Sequence, residues 1–327
     1  MALILGIEST AHTFGIGIVR HGKILANVKE TYTTEQGGII PIESAKHHAK
    51  VKEKVLLDVL DEAKVKIKDV DAIAFSQGPG LAPCLLEGMK FAKKIAGKLK
   101  KPVVPVNHCI AHLEIGKITG AKNPVMLYVS GANTQIIAYA SGKYRIFGET
   151  LDIGAGNFID TFARYAGIGF PGGPVIQKIA EKSKNYIELP YKVKGMDIAL
   201  SGILTNLKQK LESKEYSLSD LSYSMQETVF AMLVETAERA LAHTDKNELL
   251  LGGGVACNSR LQEMCRIMCK ERGAKFFCPD RSLLVDNGAM IAFLGEIMFK
   301  KGIKEDKLGN IDIKPRQRTD EVEVEWR

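Results

Sequence analysis

The first forty residues alternate short apolar runs with polar turns. Apolar residues fill positions 3–7, 14–19 and 24–28, and runs of this length between turns predict three β-strands. From residue 41 the apolar positions recur every three or four residues to about residue 63, behind a proline that suits the first turn of a helix. The chain is therefore expected to open with three strands followed by a long helix.

The same order of elements returns in the second half. In the first half, apolar runs at 70–75 and 103–106 each precede a helical pattern. In the second half, residues 127–139 again read as strand, small polar turn and strand. The run at 249–251 then ends in glycines before a helix. This order predicts a duplicated α/β fold with halves 1–120 and 121–327 and a cleft between them. Helical insertions are expected at about 154–245, including a long helix near 219–243.

Composition narrows the class of protein. The chain has 327 residues, of which 45% are hydrophobic and 25% charged, so two packed domains are expected. It has no apolar run long enough to span a bilayer and no leader pattern, which predicts a cytoplasmic protein without a membrane partner. The six cysteines form no CxxC pair and are expected to be reduced thiols. A net charge of +7 allows a polyanionic partner, although solvated Lys/Glu helix faces give the same balance.

Two histidines suggest a metal site. His108 and His112 follow the apolar run at 103–106, and on a helix a spacing of four residues puts both imidazoles on one face. Such a pair can chelate one divalent ion but needs a further ligand, for which Tyr128 and Asp286 are candidates. Asp286 precedes a late helix, which its side chain is also expected to cap. A purely structural histidine pair is the alternative.

Four turns at strand ends are rich in glycine or hydroxyl residues. They lie at 8–13, 76–80, 130–135 and 252–254. Backbone N–H groups in such turns can bind phosphate. The chain contains neither a P-loop nor a GxGxxG dinucleotide fingerprint. We therefore expect phosphate binding by several loops acting together.

Several longer motifs resemble one family. They are the segments 107–112 (NHCIAH), 128–135 (YVSGANTQ), 147–152 (FGETLD), 170–174 (FPGGP), 193–197 (VKGMD) and 286–289 (DNGA). The chain resembles, over nearly its whole length, the catalytic subunit of the archaeal and eukaryotic KEOPS complex, which is homologous to bacterial TsaD. The resemblance implies an ASKHA fold, as in actin, Hsp70 and sugar kinases, with an interdomain nucleotide cleft. It also implies transfer of the threonylcarbamoyl group of L-threonylcarbamoyl-AMP to N6 of the tRNA adenosine 3′ of the anticodon, forming t6A in tRNAs that read ANN codons.

The resemblance also implies the site residues. One divalent metal per subunit, Fe²⁺ or alternatively Zn²⁺, is expected at His108, His112, Tyr128 and Asp286. The residues expected to bind the adenylate are Thr10, Tyr128, Val129, Ser130, Gly131, Ala132, Asp160, Gly173, Gln177 and Asn258. His12 is our candidate for accepting the proton of the attacking amine, with solvent or the AMP phosphate as the alternative acceptor.

The implied partners are tRNA, threonylcarbamoyl-AMP with ATP or AMP as analogues, and KEOPS subunits. Those subunits include a small atypical Ser/Thr kinase and a dimerising subunit, and a separate synthase is expected to supply the donor. The lysine-rich stretches at 46–54 and 90–101 are expected to meet tRNA phosphates. Two alternatives remain: an ASKHA phosphotransferase for a small molecule, and a non-enzymatic nucleotide switch. A metalloprotease is disfavoured because the histidine pair lacks the Glu of HExxH.

Overall fold

A computed structural model of the chain describes residues 2–35 and 38–327. Its strands are β1 (Leu3–Glu8), β2 (Thr13–Arg20), β3 (Lys23–Thr31), β4 (Ala72–Gly78), β5 (Val103–Asn107), β6 (Val125–Val129), β7 (Thr134–Ala140), β8 (Lys143–Glu149), β9 (Val193–Lys194), β10 (Asp197–Ile198), β11 (Glu248–Gly252) and β12 (Lys275–Phe277). Its helices are α1 (Pro41–Ala63), α2 (Ala82–Leu99), α3 (His108–Ile115), α4 (Ala155–Tyr165), α5 (Gly173–Ala180), α6 (Ser201–Ser213), α7 (Leu218–Thr244), α8 (Ser259–Arg272), α9 (Arg281–Leu284) and α10 (Gly288–Lys300).

The chain divides into two units. The first unit comprises Met1–Thr33, Ile39–Ile115 and Asp286–Arg327, and the second comprises Thr34–Gly38 and Gly116–Val285. The first unit contains a sheet of order β3-β2-β1-β4-β5, in which β1–β3 are antiparallel and β4 and β5 join β1 in parallel. The second unit repeats this arrangement as β8-β7-β6-β11-β12. The predicted duplicated α/β fold is therefore confirmed.

Both sheets are covered by helices. In β1, side chains of alternate residues point to opposite faces of the sheet. Leu3, Leu5 and Ile7 pack with apolar residues of α1 and α2, whereas Ile4 lies next to α10. In the second unit, apolar side chains of β6 form one core with α4, α7 and α8. Burial on both faces explains why the central strands read as nearly continuous apolar runs.

Most predicted elements are confirmed. The first helix has the predicted bounds, and the long helix near 219–243 is α7, Leu218–Thr244. The strand expected at 70–75 begins later, at Ala72, because residues 67–69 form a short 3₁₀ helix. All six cysteines are free thiols. No helix among the described residues is long and apolar enough to cross a membrane.

The bounds of these two units differ from those of the predicted halves, 1–120 and 121–327. The halves remain our proposal for the two copies of the duplicated domain. The difference arises because α10 returns to the first unit and lies on β1, β2 and β4. Glycines allow this close packing: a Cβ atom at Gly17 would lie 2.2 Å from the backbone nitrogen of Ala289, and one at Gly6 would lie 2.2 Å from that of Ala292. This packing brings Asp286 into the same unit as the histidine pair.

Candidate metal centre and nucleotide residues

The histidine pair lies at the start of α3, directly after β5. Asn107 fixes this start, because its Oδ1 accepts a hydrogen bond from the backbone N–H of Ile110 at 3.1 Å. Its Nδ2 donates to Gln317 Oε1 at 3.1 Å. His108 and His112 are both buried, and their ring centroids are 4.8 Å apart. The helical placement predicted from their spacing is confirmed.

Asp286 completes a group of three ligands. Its Oδ1 lies 3.5 Å from Nε2 of His108 and 3.5 Å from Nε2 of His112. The prediction that Asp286 caps the following helix is wrong. Asn287 is the N-cap of α10 and accepts a hydrogen bond from the backbone N–H of Met290 at 3.0 Å. Because Asn287 supplies the cap, the Asp286 carboxylate can face the histidines instead.

This group fits a divalent metal. One ligand atom from each residue lies within 4.8 Å of the others, and no other such group of His, Cys, Asp or Glu occurs in the described ranges 2–35 and 38–327. Ligand atoms bound at ~2.1 Å in tetrahedral geometry lie about 3.4 Å apart, which is close to the two separations of 3.5 Å between Asp286 and the histidines. Two imidazoles and one carboxylate form the set typical of non-haem Fe²⁺ and also suit Zn²⁺.

Glu8 orients one of the ligands. This carboxylate is fully buried at the end of β1, and its Oε2 lies 3.0 Å from Nδ1 of His108. Its Oε1 accepts hydrogen bonds from the backbone N–H of Thr10 at 2.7 Å and from the Thr10 hydroxyl at 2.5 Å. When His108 is neutral, donation of its Nδ1–H to Glu8 leaves the Nε2 lone pair directed at the metal position. The only sequence signal for this role was an acidic residue at the end of an otherwise apolar strand.

The electrostatics of the group favour a cation. Burial acts to lower the pKa of His108, but the carboxylates of Glu8 and Asp286 raise it to about 9. Burial also lowers the pKa of His112, which favours the neutral imidazole that a metal requires. Burial acts to raise the pKa of Asp286, yet His108, His112 and His12 hold it below its ordinary value. The buried carboxylate of Glu8 and the partly buried one of Asp286 thus stabilise positive charge at this position.

Residues at both ends of α3 connect it to the last segment of the chain. Glu114 is fully buried, and its Oε1 accepts a hydrogen bond from Trp326 Nε1 at 3.2 Å. Arg327 lies 3.7 Å from the same oxygen. Together with the contact between Asn107 and Gln317, these interactions hold the helix that carries the histidines. This support was not visible in the sequence, because the partners are about two hundred residues apart.

His12 and Thr10 belong to the turn after β1. His12 is half-buried, and its charge is one of the causes that hold the pKa of Asp286 below its ordinary value. Its role as proton acceptor remains a proposal. Thr10 donates both its backbone N–H and its hydroxyl to Glu8, so its contribution to phosphate binding also remains a proposal.

We expect Glu8→Ala to weaken metal binding about 10- to 100-fold, the usual effect of losing a partner that orients a ligand. Without the carboxylate, His108 loses the acceptor for its Nδ1–H. Equilibrium titration of the metal-free protein measures the affinity. Glu43→Ala, which removes an exposed carboxylate on α1, is the matched control. Equal metal affinities of the two variants would contradict an orienting role for Glu8.

In the second unit, the turn after β6 meets the start of α4. Ser130 forms the turn by accepting, through its hydroxyl, the backbone N–H of Asn133 at 3.2 Å. The backbone N–H of Gly156 donates to the carbonyl of Ser130 at 3.0 Å, and that of Asn157 donates to the carbonyl of Gly131 at 2.8 Å. The predicted residues Val129, Ser130, Gly131 and Ala132 therefore lie at a helix N-terminus, where anions bind favourably.

The remaining predicted nucleotide residues are linked to this turn through α4. Asp160, on α4, accepts hydrogen bonds from the backbone N–H groups of Gly172 and Gly173 at 2.8 and 3.3 Å, which fixes the start of α5. Gln177, on α5, donates to the hydroxyl of Ser259 at the start of α8, with a length of 2.9 Å. These hydrogen bonds thus connect α4 to the start of α5, and α5 to the start of α8. Their assignment to adenylate binding remains a proposal.

Asn258 and Tyr128 occupy defined structural positions. The Asn258 Oδ1 caps α8 by accepting the backbone N–H of Arg260 at 2.9 Å, and its Nδ2 donates to Gln226 at 2.5 Å. Tyr128 is fully buried on β6, in the second unit, whereas the three metal ligands described above lie in the first. Its assignment as a fourth ligand therefore remains a proposal.

Sequence comparison identifies the family. The model of the family described as TsaD, tRNA N6-adenosine threonylcarbamoyltransferase, matches residues 23–293. The chain belongs to the TsaD family. Its members include a tRNA N6-adenosine threonylcarbamoyltransferase of Thermococcus sibiricus, which is 58% identical over 99% of this chain and 100% of the relative. The corresponding protein of Thermococcus kodakarensis is 57% identical over 99% of each chain.

A longer relative contains a similar chain as part of a larger protein, and two distant structures show which fold this chain shares. A bifunctional tRNA threonylcarbamoyladenosine biosynthesis protein of Methanosarcina mazei is 52% identical over 99% of this chain, which spans only 59% of that relative. HypF of T. kodakarensis has a TM-score of 0.66 at 15% identity, over 94% of this chain and 49% of HypF. The activator of 2-hydroxyisocaproyl-CoA dehydratase from Clostridium difficile has a TM-score of 0.56 at 12% identity, over 93% of this chain and 98% of the activator. These structures confirm the ASKHA-type fold predicted from the sequence.

Proposed function

We propose that this chain transfers the threonylcarbamoyl group of L-threonylcarbamoyl-AMP to N6 of the tRNA adenosine 3′ of the anticodon, forming t6A as the catalytic subunit of a KEOPS complex. The observation that carries the proposal is the full-length similarity to tRNA N6-adenosine threonylcarbamoyltransferases at up to 58% identity. The grouping of His108, His112 and Asp286 supports it, because a small-molecule kinase does not require these ligands. The bound metal is proposed to be Fe²⁺.

The chemistry is an acyl transfer from a mixed anhydride. The N6 nitrogen of adenosine forms a bond to the carbamoyl carbon, the bond from that carbon to the phosphate oxygen breaks, and AMP leaves. A divalent metal at His108, His112 and Asp286 supplies Lewis acidity and a point of attachment for the threonyl part of the donor. Glu8 keeps His108 in the required orientation. His12 takes up the proton that N6 loses.

The adenylate part of the donor is assigned to the second unit. The N-terminal ends of α4, α5 and α8 carry the positive partial charge of the helix dipoles, which stabilises the negative charge on the departing AMP phosphate. Asp160 fixes the first residues of α5 for this purpose through its bonds to Gly172 and Gly173. We propose that Tyr128 is a fourth ligand, as the family resemblance of its motif implies.

We expect t6A when the chain is incubated with synthetic threonylcarbamoyl-AMP and a substrate tRNA, together with the partner subunits. Nucleoside analysis by mass spectrometry measures the product. A tRNA with guanosine in place of the target adenosine is the control and should yield none. Release of phosphate from ATP to a small acceptor, with no t6A, would favour the phosphotransferase alternative. Nucleotide binding without any product would favour the nucleotide switch.

The donor is expected to come from another enzyme. Its synthesis must bring threonine, bicarbonate and ATP together, whereas the predicted nucleotide residues of the second unit form a single connected group. We therefore expect little t6A from threonine, bicarbonate, ATP and tRNA until a donor synthase is added. The bifunctional name of the M. mazei relative supports a close association with a second activity. Efficient modification by the isolated chain from these substrates would contradict this division.

A further inference from the structure

An irregular basic segment lies along α7 in the second unit. This basic segment, residues 182–194 (KSKNYIELPYKVK), contains four lysines, two tyrosines and one glutamate, and so carries a net charge of +3. It connects the end of α5 to the two-stranded hairpin of β9 and β10. Leu189 enters the core, and the other side chains of the segment are exposed or half-buried.

Side chains of α7 hold the basic segment at regular intervals. The Ser183 hydroxyl donates to Asp220 at 2.5 Å, the backbone N–H of Ile187 donates to the Ser224 hydroxyl at 2.7 Å, and the hydroxyls of Tyr186 and Thr228 are 3.0 Å apart. The Tyr191 hydroxyl donates to Glu235. The helix residues in these contacts lie at positions 220, 224, 228 and 235, spacings that put them on one face. The segment is therefore ordered although only its last two residues, which form β9, have regular secondary structure.

The charged and aromatic groups of the segment are available to a partner. Its lysines are exposed, and in the part of the chain that the structure describes none of their ammonium groups forms an ion pair or a hydrogen bond. Tyr186 is 51% exposed and Tyr191 is 50% exposed, while their hydroxyls are held by α7. Each tyrosine thus presents part of its ring to solvent. The lysines in question are Lys182, Lys184, Lys192 and Lys194.

The lysines of α1 and α2 differ from those of the basic segment, because most of them form ion pairs. They were the predicted contacts for tRNA, yet most are already paired with carboxylates. The pairs are Lys46–Glu43 at 2.8 Å, Lys52–Glu87 at 3.1 Å, Lys54–Glu30 at 2.6 Å, Lys90–Glu87 at 3.6 Å and Lys94–Glu53 at 2.6 Å. A phosphate binding there would have to compete with these partners. The basic segment offers lysines that face no such competition.

We propose that the basic segment binds the substrate RNA, with its lysines on phosphates and its tyrosine rings stacked on unpaired bases. This inference rests on the proposed function for the identity of the RNA. Lysines on either side of half-exposed aromatic rings combine the two kinds of contact by which proteins bind single-stranded nucleic acid. Because α7 already orders the segment, little conformational entropy is lost on binding. The two lysine pairs, one at each end of the segment, can contact separate stretches of the RNA backbone.

The lysines are tested by replacing all four with alanine in the full-length protein. The matched control replaces Lys46, Lys54, Lys90 and Lys94, which removes the same charge from ion-paired positions. Fluorescence anisotropy with a substrate tRNA, over a salt series, measures the dissociation constant. We expect about a 30-fold weaker complex for the first variant and a decrease of about 3 in the slope of log K against log salt, since each phosphate contact contributes about 0.7–0.9. The control should change the affinity by less than about 3-fold.

The tyrosines are tested separately. Tyr186→Leu combined with Tyr191→Leu removes the stacking surfaces, and is expected to weaken tRNA binding by about 10-fold or more without changing the salt slope. The corresponding double change to phenylalanine keeps both rings and should bind nearly as the original protein does. Equal losses in the two double variants would show that the hydroxyl anchors, rather than the rings, are what matters, and would overturn the stacking part of the proposal.

Further outcomes decide the proposal as a whole. Unchanged tRNA affinity in the variant lacking the four segment lysines, or an equal loss in both lysine variants, would overturn the basic segment as the RNA site. The proposed activity is judged separately, by formation of t6A at saturating tRNA. If t6A forms and the segment variant binds tRNA normally, only this inference fails. If the segment variant loses binding and no protein forms t6A, only the proposed activity fails.

Discussion

Replacing His112 with alanine is expected to remove the bound metal and to abolish t6A formation. His112 is one of three described ligands, and its Nε2 lies 3.5 Å from Oδ1 of Asp286. Losing one of so few ligands removes most of the affinity of such a site. Because burial lowers the pKa of this histidine, it is neutral near pH 7 and needs no deprotonation to bind metal. Asp286→Ala is expected to have the same effect.

Metal content of the purified protein, determined by elemental analysis before and after dialysis against a chelator, measures the result. His243→Ala is a suitable control, since this histidine is exposed at the end of α7, in the second unit. It should leave both metal and activity unchanged. A melting curve for each variant separates loss of metal from loss of fold. Full metal stoichiometry in His112→Ala would rule out the site as described.

Part of the candidate site was visible in the sequence because it is local. The spacing of His108 and His112 defines one helix face, and a strand ending just before His108 indicated where that helix starts. The contribution of Glu8 was not visible, because the contact joins residues one hundred positions apart. The role of Asn287 was also missed. Asp286 and Asn287 are both good helix caps, and only the structure decides which of them performs that role.

The fold was predicted more completely than the division into units. Short apolar runs between polar turns predicted most strands, and the repeated order of elements predicted the duplication. The order of elements does not reveal that α10 packs against the first sheet, since this contact joins the two ends of the chain. The feature of the sequence that indicated this packing was the presence of small residues in β1 and β2. Gly6, Gly15 and Gly17 occur where strands normally carry larger side chains, and such glycines mark close backbone approach.

Gly17→Ala is expected to destabilise the protein by about 3 kcal/mol and to weaken metal binding as well. The added Cβ would lie 2.2 Å from the backbone nitrogen of Ala289 and 2.4 Å from its Cα, so α10 must move away from β2. Backbone atoms in a helix cannot yield as a flexible side chain does. Because Asp286 directly precedes this helix, its carboxylate moves with it and leaves the position 3.5 Å from both histidines.

Chemical denaturation measures the free energy of unfolding of the Gly17→Ala variant, and titration of its metal-free form measures metal affinity. Gly202→Ala is the matched control, because this exposed glycine in α6 has no atom within 4 Å of the added Cβ. It should be as stable as the original protein or more stable by up to about 1 kcal/mol, since alanine restricts the unfolded chain. Equal stability of the two variants would show that α10 does not depend on close contact with β2. A destabilised Gly17→Ala protein with unchanged metal affinity would instead separate the packing of α10 from the position of Asp286.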